Sequence, residues 1–288
     1  MFTAVVREVK KAHADRKVFL QEPYYEEGYK QIVLRKSFLG KKFSFNSSPV
    51  FDNNPYLSQG WISRNSIVIQ RADPKNHYVL EELEDRYLWK DNMHAVETIC
   101  ANYGVAPKSI KPDLFFSDRE QENNEKRLKL SGRDYIAIEP NGKTDYFADN
   151  RLWFFERWQL LVDQLSESSE IIQVGDGTGS SLKNVKDLSG KLTFRETAWV
   201  ISQSKLFVGT IGGLMHAARA VETKSIILYS GTEKISMAGY SENVNLVNPV
   251  DCSPCGLKIK CPHNKKCMEF SVEEVYKSLM RAEWSKKN

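Results

Sequence analysis

The feature that most restricts the fold of this chain is an alternation in its C-terminal half. Short apolar runs, "YIAIEP", "EIIQVG", "KLFVGT" and "SIILYSG", are separated by segments of helical period, "RLWFFERWQLLVDQL", "FRETAWVISQS" and "LMHAARAV". Strand-length runs interleaved with helices at this spacing make βαβ units, and such units stack into a parallel sheet with helices on both faces. The half therefore reads as a Rossmann-like domain. A last helix is marked at "SVEEVYKSL", where Ser271 and Glu274 have the spacing of a capping box ahead of an apolar stripe of Val275, Leu279 and Met280.

The N-terminal half is less regular. "MFTAVVREVKKAHADRK" reads as an amphipathic helix with Val5, Val6, Val9 and Ala12 on one side. Strands are expected at "KVFLQ", "QIVLR" and "SIVIQR", separated by turn-rich pieces such as "FNSSPVFDNNPYL", which together predict a second, smaller α/β domain. A helical region is expected from Val79. Its last part, "MHAVETICANYG", spaces Met93, Val96, Cys100 and Tyr103 along one face before Gly104 caps it, which makes Cys100 a core residue. At 288 residues the chain can bury two cores. The charged run from Ser117 to Asp134 is the natural boundary, giving an N-terminal domain of residues 1–125 and a C-terminal domain of residues 126–288.

Charge and hydropathy narrow the function. The net charge of +4 comes from 41 basic and 37 acidic residues interspersed along the chain, which does not mark a nucleic-acid protein. No apolar run approaches the roughly 20 residues needed to cross a bilayer. The N-terminus also lacks a signal-peptide core, so a cytoplasmic location without a transmembrane segment is expected.

The stretch "VGTIGGLMHAARA", Val208 to Ala220, sets two adjacent glycines between a strand-like and a helix-like run. In parallel α/β sheets the ligand crevice lies where strands end and loops lead into helices. Glycines there admit a phosphate to the backbone, and the free amides of the following helix stabilise its charge. Thr210, Gly212, Gly213 and His216 are the candidates on this loop. Asp176, in "VGDGTG" after a strand, is either a ribose-binding carboxylate or a plain turn aspartate.

"FVGTIGGLMHAARAVETKSIILYSG", then Gly239 and Tyr240, then "CSPCGLKIKCPHNKKCMEFSVEEV", resembles glycosyltransferase family nine, which includes the bacterial ADP-heptose:lipopolysaccharide heptosyltransferases. The resemblance covers roughly residues 133–280. Upstream, "EPNGKTDYFADNRLWFFERWQLLVDQL" looks like that family's strand, polar loop and helix, with Arg151 ahead of Trp153 as the basic residue that contacts the donor, and Phe154 in place of the usual proline. The resemblance implies a GT-B architecture of two Rossmann-like domains, an α/β fold, with a nucleotide-sugar held by the C-terminal one and a glycan or lipopolysaccharide-type acceptor. It also implies transfer without a catalytic metal, the leaving diphosphate being stabilised by helix amides, His216, and Arg151 or Lys143. Two departures stand out. Ile211 occupies a position that is acidic in the family. The family's first strand and Gly-Asp loop, with a carboxylate near the acceptor, fall before Met1, so the smaller domain is either truncated at its start or lacks the usual base. No motif identifies another catalytic base, and Asp52 and His77 stand as candidates by residue type alone.

Four of the five cysteines, Cys252, Cys255, Cys261 and Cys267, fall within one short stretch. A Cys-x-x-Cys pair with two more thiols nearby suits a tetrahedral site for structural zinc or iron, and a reducing compartment favours metal over disulfides. The alternative is four free thiols in a loop. Lys258, Lys260, Lys265 and Lys266 make the loop basic, and His263 is a substitute ligand of lower standing. The leading expectation is a heptosyltransferase-like glycosyltransferase. Its rival is a non-catalytic nucleotide-sugar-binding member of the same fold. A metal-ribbon nucleic-acid binder is the weakest reading, because aromatic residues do not alternate with the lysines.

Overall fold

The computed structural model describes residues 1–21, 48–58, 63–70, 93–130, 134–142, 149–257 and 260–284. The chain divides into two compact units, Met1–Ser117 and Asp118–Asn288. In the first, strand β1 (Lys17–Gln21) pairs in parallel with β2 (Ser66–Gln70), Lys17 opposite Ser66. Helix α1 (Phe2–Ala12) buries Val5, Val6 and Val9 completely, whereas Ala12 is exposed as its last residue. Burial goes all round the helix because Arg7 is enclosed too, its guanidinium bonding Glu8, Asp113 and the carbonyl oxygens of Ser109 and Lys111. Helix α2 (Ala95–Ala101) starts in a capping box of His94 and Glu97. Cys100 is fully buried, and burial pushes its thiol up to about 11. Gly104 takes the left-handed conformation, φ 67°, that the cap requires, while Met93 is exposed rather than part of the apolar face. The expected strand "QIVLR", the helical start at Val79, and His77 lie outside the described residues.

The second unit opens with α3 (Asp118–Leu128), a polar helix inside the charged run. It is followed by β3 (Tyr135–Ile138), α4 (Phe155–Leu165), β4 (Glu170–Gln173), β5 (Lys186–Asp187), α5 (Phe194–Gln203) and β6 (Leu206–Thr210). Then come α6 (Gly213–Ala220), β7 (Ser225–Tyr229), the short α7 (Ile235–Ala238), β8 (Val244–Val247) and α8 (Val272–Trp284). The six strands form one parallel sheet in the order β5-β4-β3-β6-β7-β8. β3, β6 and β7 are buried along their whole length, as near-continuous apolar runs in a sheet covered on both faces must be. Arg195 ties α3 to α5 through two bonds of 2.7 Å to the Glu120 carboxylate, and Arg127 pairs with Glu196. Trp153 and Trp158 pack edge to face at 5.1 Å in a core shared with Val275 and Leu279 of α8. That helix begins in the expected capping box, Ser271 Oγ donating to Glu274 at 2.7 Å and the Ser271 amide doing the same. Among the described residues, no helix is long and apolar enough to cross a membrane.

Candidate functional site

The strand order places the crevice. The chain runs outward from β3 through β4 to β5, then returns to build β6, β7 and β8 on the other side, so β3 and β6 are neighbours whose following loops diverge. Ligands of open α/β sheets bind at such a switch point, beyond the carboxyl ends of the strands. A cavity of about 430 Å³ lies there. Its polar lining includes Glu139, Arg151, Asp176 and Thr210, with Gly212 and Gly213 at the start of α6. Leu192, Phe194, Ile211 and Leu214 give it an apolar side-chain contribution, and Phe194, the first residue of α5, is left 39% exposed.

The glycines around this cavity divide into two kinds. Gly177 has φ 82°, and a Cβ there would stand 2.7 Å from the Gly190 Cα, so the loop after β4 and the turn after β5 meet backbone to backbone. No side chain fits. Gly177→Ala is expected to lower the unfolding free energy by about 1–3 kcal/mol through strain and overpacking, and urea denaturation measures it. An unchanged midpoint would show that the two loops separate freely. Gly212 is the opposite case. Its φ of 176° is extended backbone open to any residue, and a Cβ there would meet nothing within 4 Å. A Cβ on Gly213 would make only an ordinary contact of 3.9 Å with Phe194. Neither the backbone nor the packing of the protein demands glycine at position 212.

The charged groups are held from several elements. Arg151 ends the short helical turn Asp149–Arg151 before α4 and forms an ion pair with Glu233, from the loop after β7. Both side chains are mostly enclosed, at 20% and 11% exposure. Asp176 accepts from the Thr178 amide at 3.0 Å and the Thr178 hydroxyl at 2.7 Å, so it shapes its own turn while bordering the cavity. His216 is not among the described lining residues. It sits beyond the first residue of α6 and its Nδ1 shares a hydrogen bond of 2.7 Å with the buried Tyr240 hydroxyl. Burial drives the Tyr240 phenol upward, which keeps it neutral. Lys143 lies outside the described residues. Of the sequence candidates, the structure thus gathers Arg151, Asp176, Thr210, Gly212 and Gly213 around one cavity.

Two carboxyl groups escaped the sequence reading. Glu139 follows β3 directly and is nine-tenths buried in the cavity wall. The signal available was an acidic residue closing the apolar run "YIAIEP". Burial, and behind it the charge of Asp176, push Glu139 up to about 8. Glu233 carries no sequence signal at all.

The cysteine loop leans on the same elements. The Cys255 amide donates to the Gly231 carbonyl at 2.9 Å and the Gly256 amide to that of Thr232, also at 2.9 Å, joining the loop to the segment that carries Glu233. Asn150, next to Arg151 and buried, donates to the Leu257 carbonyl at 2.7 Å and accepts from the Cys261 amide at 3.2 Å. Lys265 reaches the Leu152 carbonyl and stands over the Phe154 ring, so its charge is used within the fold. Lys258 lies outside the described residues. Burial raises the Cys267 thiol, and a hydrogen bond from the Gly231 backbone opposes this. Among the described residues, however, no three His, Cys, Asp or Glu side chains are grouped so as to hold a metal ion. The expected tetrahedron is not closed: Cys252 is exposed at its turn while Cys267 is buried against Gly231.

Comparison with known proteins gives a consistent picture. The model of glycosyltransferase family 9 (heptosyltransferase) matches residues 75–266. Lipopolysaccharide heptosyltransferase 3 of Escherichia coli is 25% identical over 126 residues, 39% of this chain and 36% of that protein. Among solved structures, ADP-heptose lps heptosyltransferase II of E. coli aligns with a TM-score of 0.52 and 17% identity, over 68% of this chain and 63% of that one. The family 9 glycosyl transferase of Veillonella parvula aligns with a TM-score of 0.59 and 14% identity, over 82% and 85%. The iron-containing dodecameric glycosyltransferase TibC of enterotoxigenic E. coli gives 0.55 and 15%, over 68% and 55%. The chain thus spans little more than a third of the curated relative's length.

Proposed function

The chain belongs to glycosyltransferase family 9, the heptosyltransferase family, and from that premise we propose that the cavity at the β3–β6 switch point holds the nucleoside diphosphate part of a nucleotide-sugar donor. The reaction is attack of an acceptor hydroxyl on the anomeric carbon, with departure of the diphosphate to a protein that supplies amides and a guanidinium in place of a divalent ion. A glycan of lipopolysaccharide type is the acceptor class, and the cytoplasm the location. The single observation behind this reading is Gly212, a glycine that the fold does not need, at the mouth of a helix and on the cavity wall. Arg151, Asp176, Thr210 and Gly213 complete the donor site, with Lys143 and His216 as further donor contacts. Asp52, exposed after the turn Pro49–Phe51, has no side-chain partner among the described residues that would mark it as the base.

Gly212→Ala tests the reading directly. Alanine is a clearly poorer N-cap than glycine but restricts the unfolded chain, and the two effects offset, so stability changes by less than about 1 kcal/mol. ADP, GDP and UDP, titrated by calorimetry, are expected to lose roughly tenfold or more in affinity for whichever base binds, because the added methyl occupies the space of a phosphate. Equal affinity in the variant, or no binding of any of the three to the wild type, would place the site elsewhere. For the cysteine loop the reading is one structural zinc or iron on Cys252, Cys255, Cys261 and Cys267. Its support is a set of four thiols on one short loop, beside an iron-containing relative. Four thiolates leave no open coordination position, so such a metal fastens the loop and takes no part in transfer.

A further inference from the structure

We propose that the Glu139 carboxyl is a hydrogen-bond donor of the cavity, set against the diphosphate of the ligand; this rests on the reading of the cavity as the donor site. Its backbone is fixed at the floor of the crevice, where its amide donates to the Val208 carbonyl at 2.9 Å. The side chain packs over β6, its Cβ standing 3.4 Å from where a Cβ on Gly209 would be. The residue is only 9% exposed, yet it lines the cavity, and its carboxyl makes no hydrogen bond to any described residue. The other cavity side chains that carry charge are occupied differently: Asp176 bonds Thr178, and Arg151 pairs with Glu233. A mostly enclosed carboxyl that lines a cavity and is hydrogen-bonded by none of the described residues is available to a ligand.

Its charge state decides which ligand. From the loop after β4, Asp176 adds negative charge, while β6 and the start of α6 contribute the uncharged Thr210, Ile211, Gly212 and Gly213. Among the described lining residues, Arg151 carries the positive charge, and its Nη2 is paired with Glu233. Burial and Asp176 together hold Glu139 near 8, so at neutral pH it is protonated. An ionised carboxylate on this floor would repel a diphosphate, whereas the acid form donates an O–H to one of its oxygens. Diphosphate binding and ionisation of Glu139 therefore exclude each other. As pH rises through about 8 the proton is lost and affinity falls, by up to tenfold for each further pH unit.

The experiment is ADP binding by calorimetry between pH 7.5 and 9.5, a range in which the charge of ADP is constant, on the wild type and on Glu139→Gln. Wild-type affinity is expected to drop by roughly ten- to thirtyfold across the range. The glutamine variant, which keeps a neutral donor and cannot ionise, should bind within about threefold of wild type at pH 7.5 and stay flat, while Glu139→Ala should bind about tenfold more weakly at every pH. A flat wild-type profile overturns the proposal without touching the donor-site reading, and so does a glutamine variant that follows the wild type downward. The wild-type profile decides even if a variant fails to fold. Failure of ADP, GDP and UDP to bind the wild type at any pH overturns the donor-site reading, and the role of Glu139 with it.

Discussion

Arg151→Ala is expected to weaken ADP binding by roughly ten- to a hundredfold and to lower the unfolding free energy by about 2–4 kcal/mol. The two losses have different origins. Glu233 meets Arg151 at Nη2 in a mostly enclosed pair, so alanine at 151 leaves a carboxylate in a poorly solvated place without its cation. Nη1 has no partner among the described residues and Arg151 borders the cavity, so on the proposed reading that edge of the guanidinium is the one that meets the ligand. Arg151→Met combined with Glu233→Gln separates the two. Removing both charges should restore most of the stability, because neither charge then loses the opposite charge it faces in this pair, while ADP affinity stays low. Denaturant melts and calorimetry on the three proteins decide. Recovery of affinity in the double variant would mean that Arg151 never touches the ligand and only neutralises Glu233.

What was legible in the sequence follows from how each feature is encoded. β3, β6 and β7 are buried on both faces, so their runs are continuously apolar, and the helices between them show their period plainly. β5 is too short to leave a pattern, and β8 is partly exposed at the sheet edge. Helix α3 buries only Asn124 and is held by ion pairs to α5, so nothing in its own composition separates it from a charged linker. The glycine loop stood out because two adjacent glycines at a strand-to-helix junction are conspicuous in the sequence, and the fold places them on the cavity wall. Pairings could not. Arg151 finds Glu233 across 82 residues and His216 finds Tyr240 across 24, and each partner is an ordinary residue in its local sequence. Glu139 was hidden for a similar reason. A single acidic residue at a strand end is commonplace until the fold shows that it is enclosed in a cavity wall, which only the packing of β3 beside β6 reveals.

Protein purified without chelator is expected to carry about one zinc or iron per chain, and stripping it is expected to cost at least about 3 kcal/mol of stability, the loop-closure entropy for a cross-linked loop of this length. The thiols of Cys252, Cys255, Cys261 and Cys267 must move together for this, since the structure does not group them as a closed site. The energy to do so is available: thiolate coordination of zinc releases far more than the ordering of one loop requires. The consequence should extend beyond the loop. Its backbone bonds reach Gly231 and Thr232, beside Glu233, and Asn150, beside Arg151, so it fastens both ends of the ion pair at the cavity. Loss of metal should therefore weaken ADP binding as well, by roughly as much as Arg151→Ala if the pair comes apart. Elemental analysis, thermal melts and calorimetry on metal-loaded and stripped protein measure the three quantities. Less than a tenth of an equivalent of metal, with four titratable thiols in the loop, would reject the site. A bound metal whose removal lowers stability but leaves ADP affinity intact would keep the site and sever its link to the cavity, showing that Asn150 and the Glu233 segment are held by the sheet rather than by the loop.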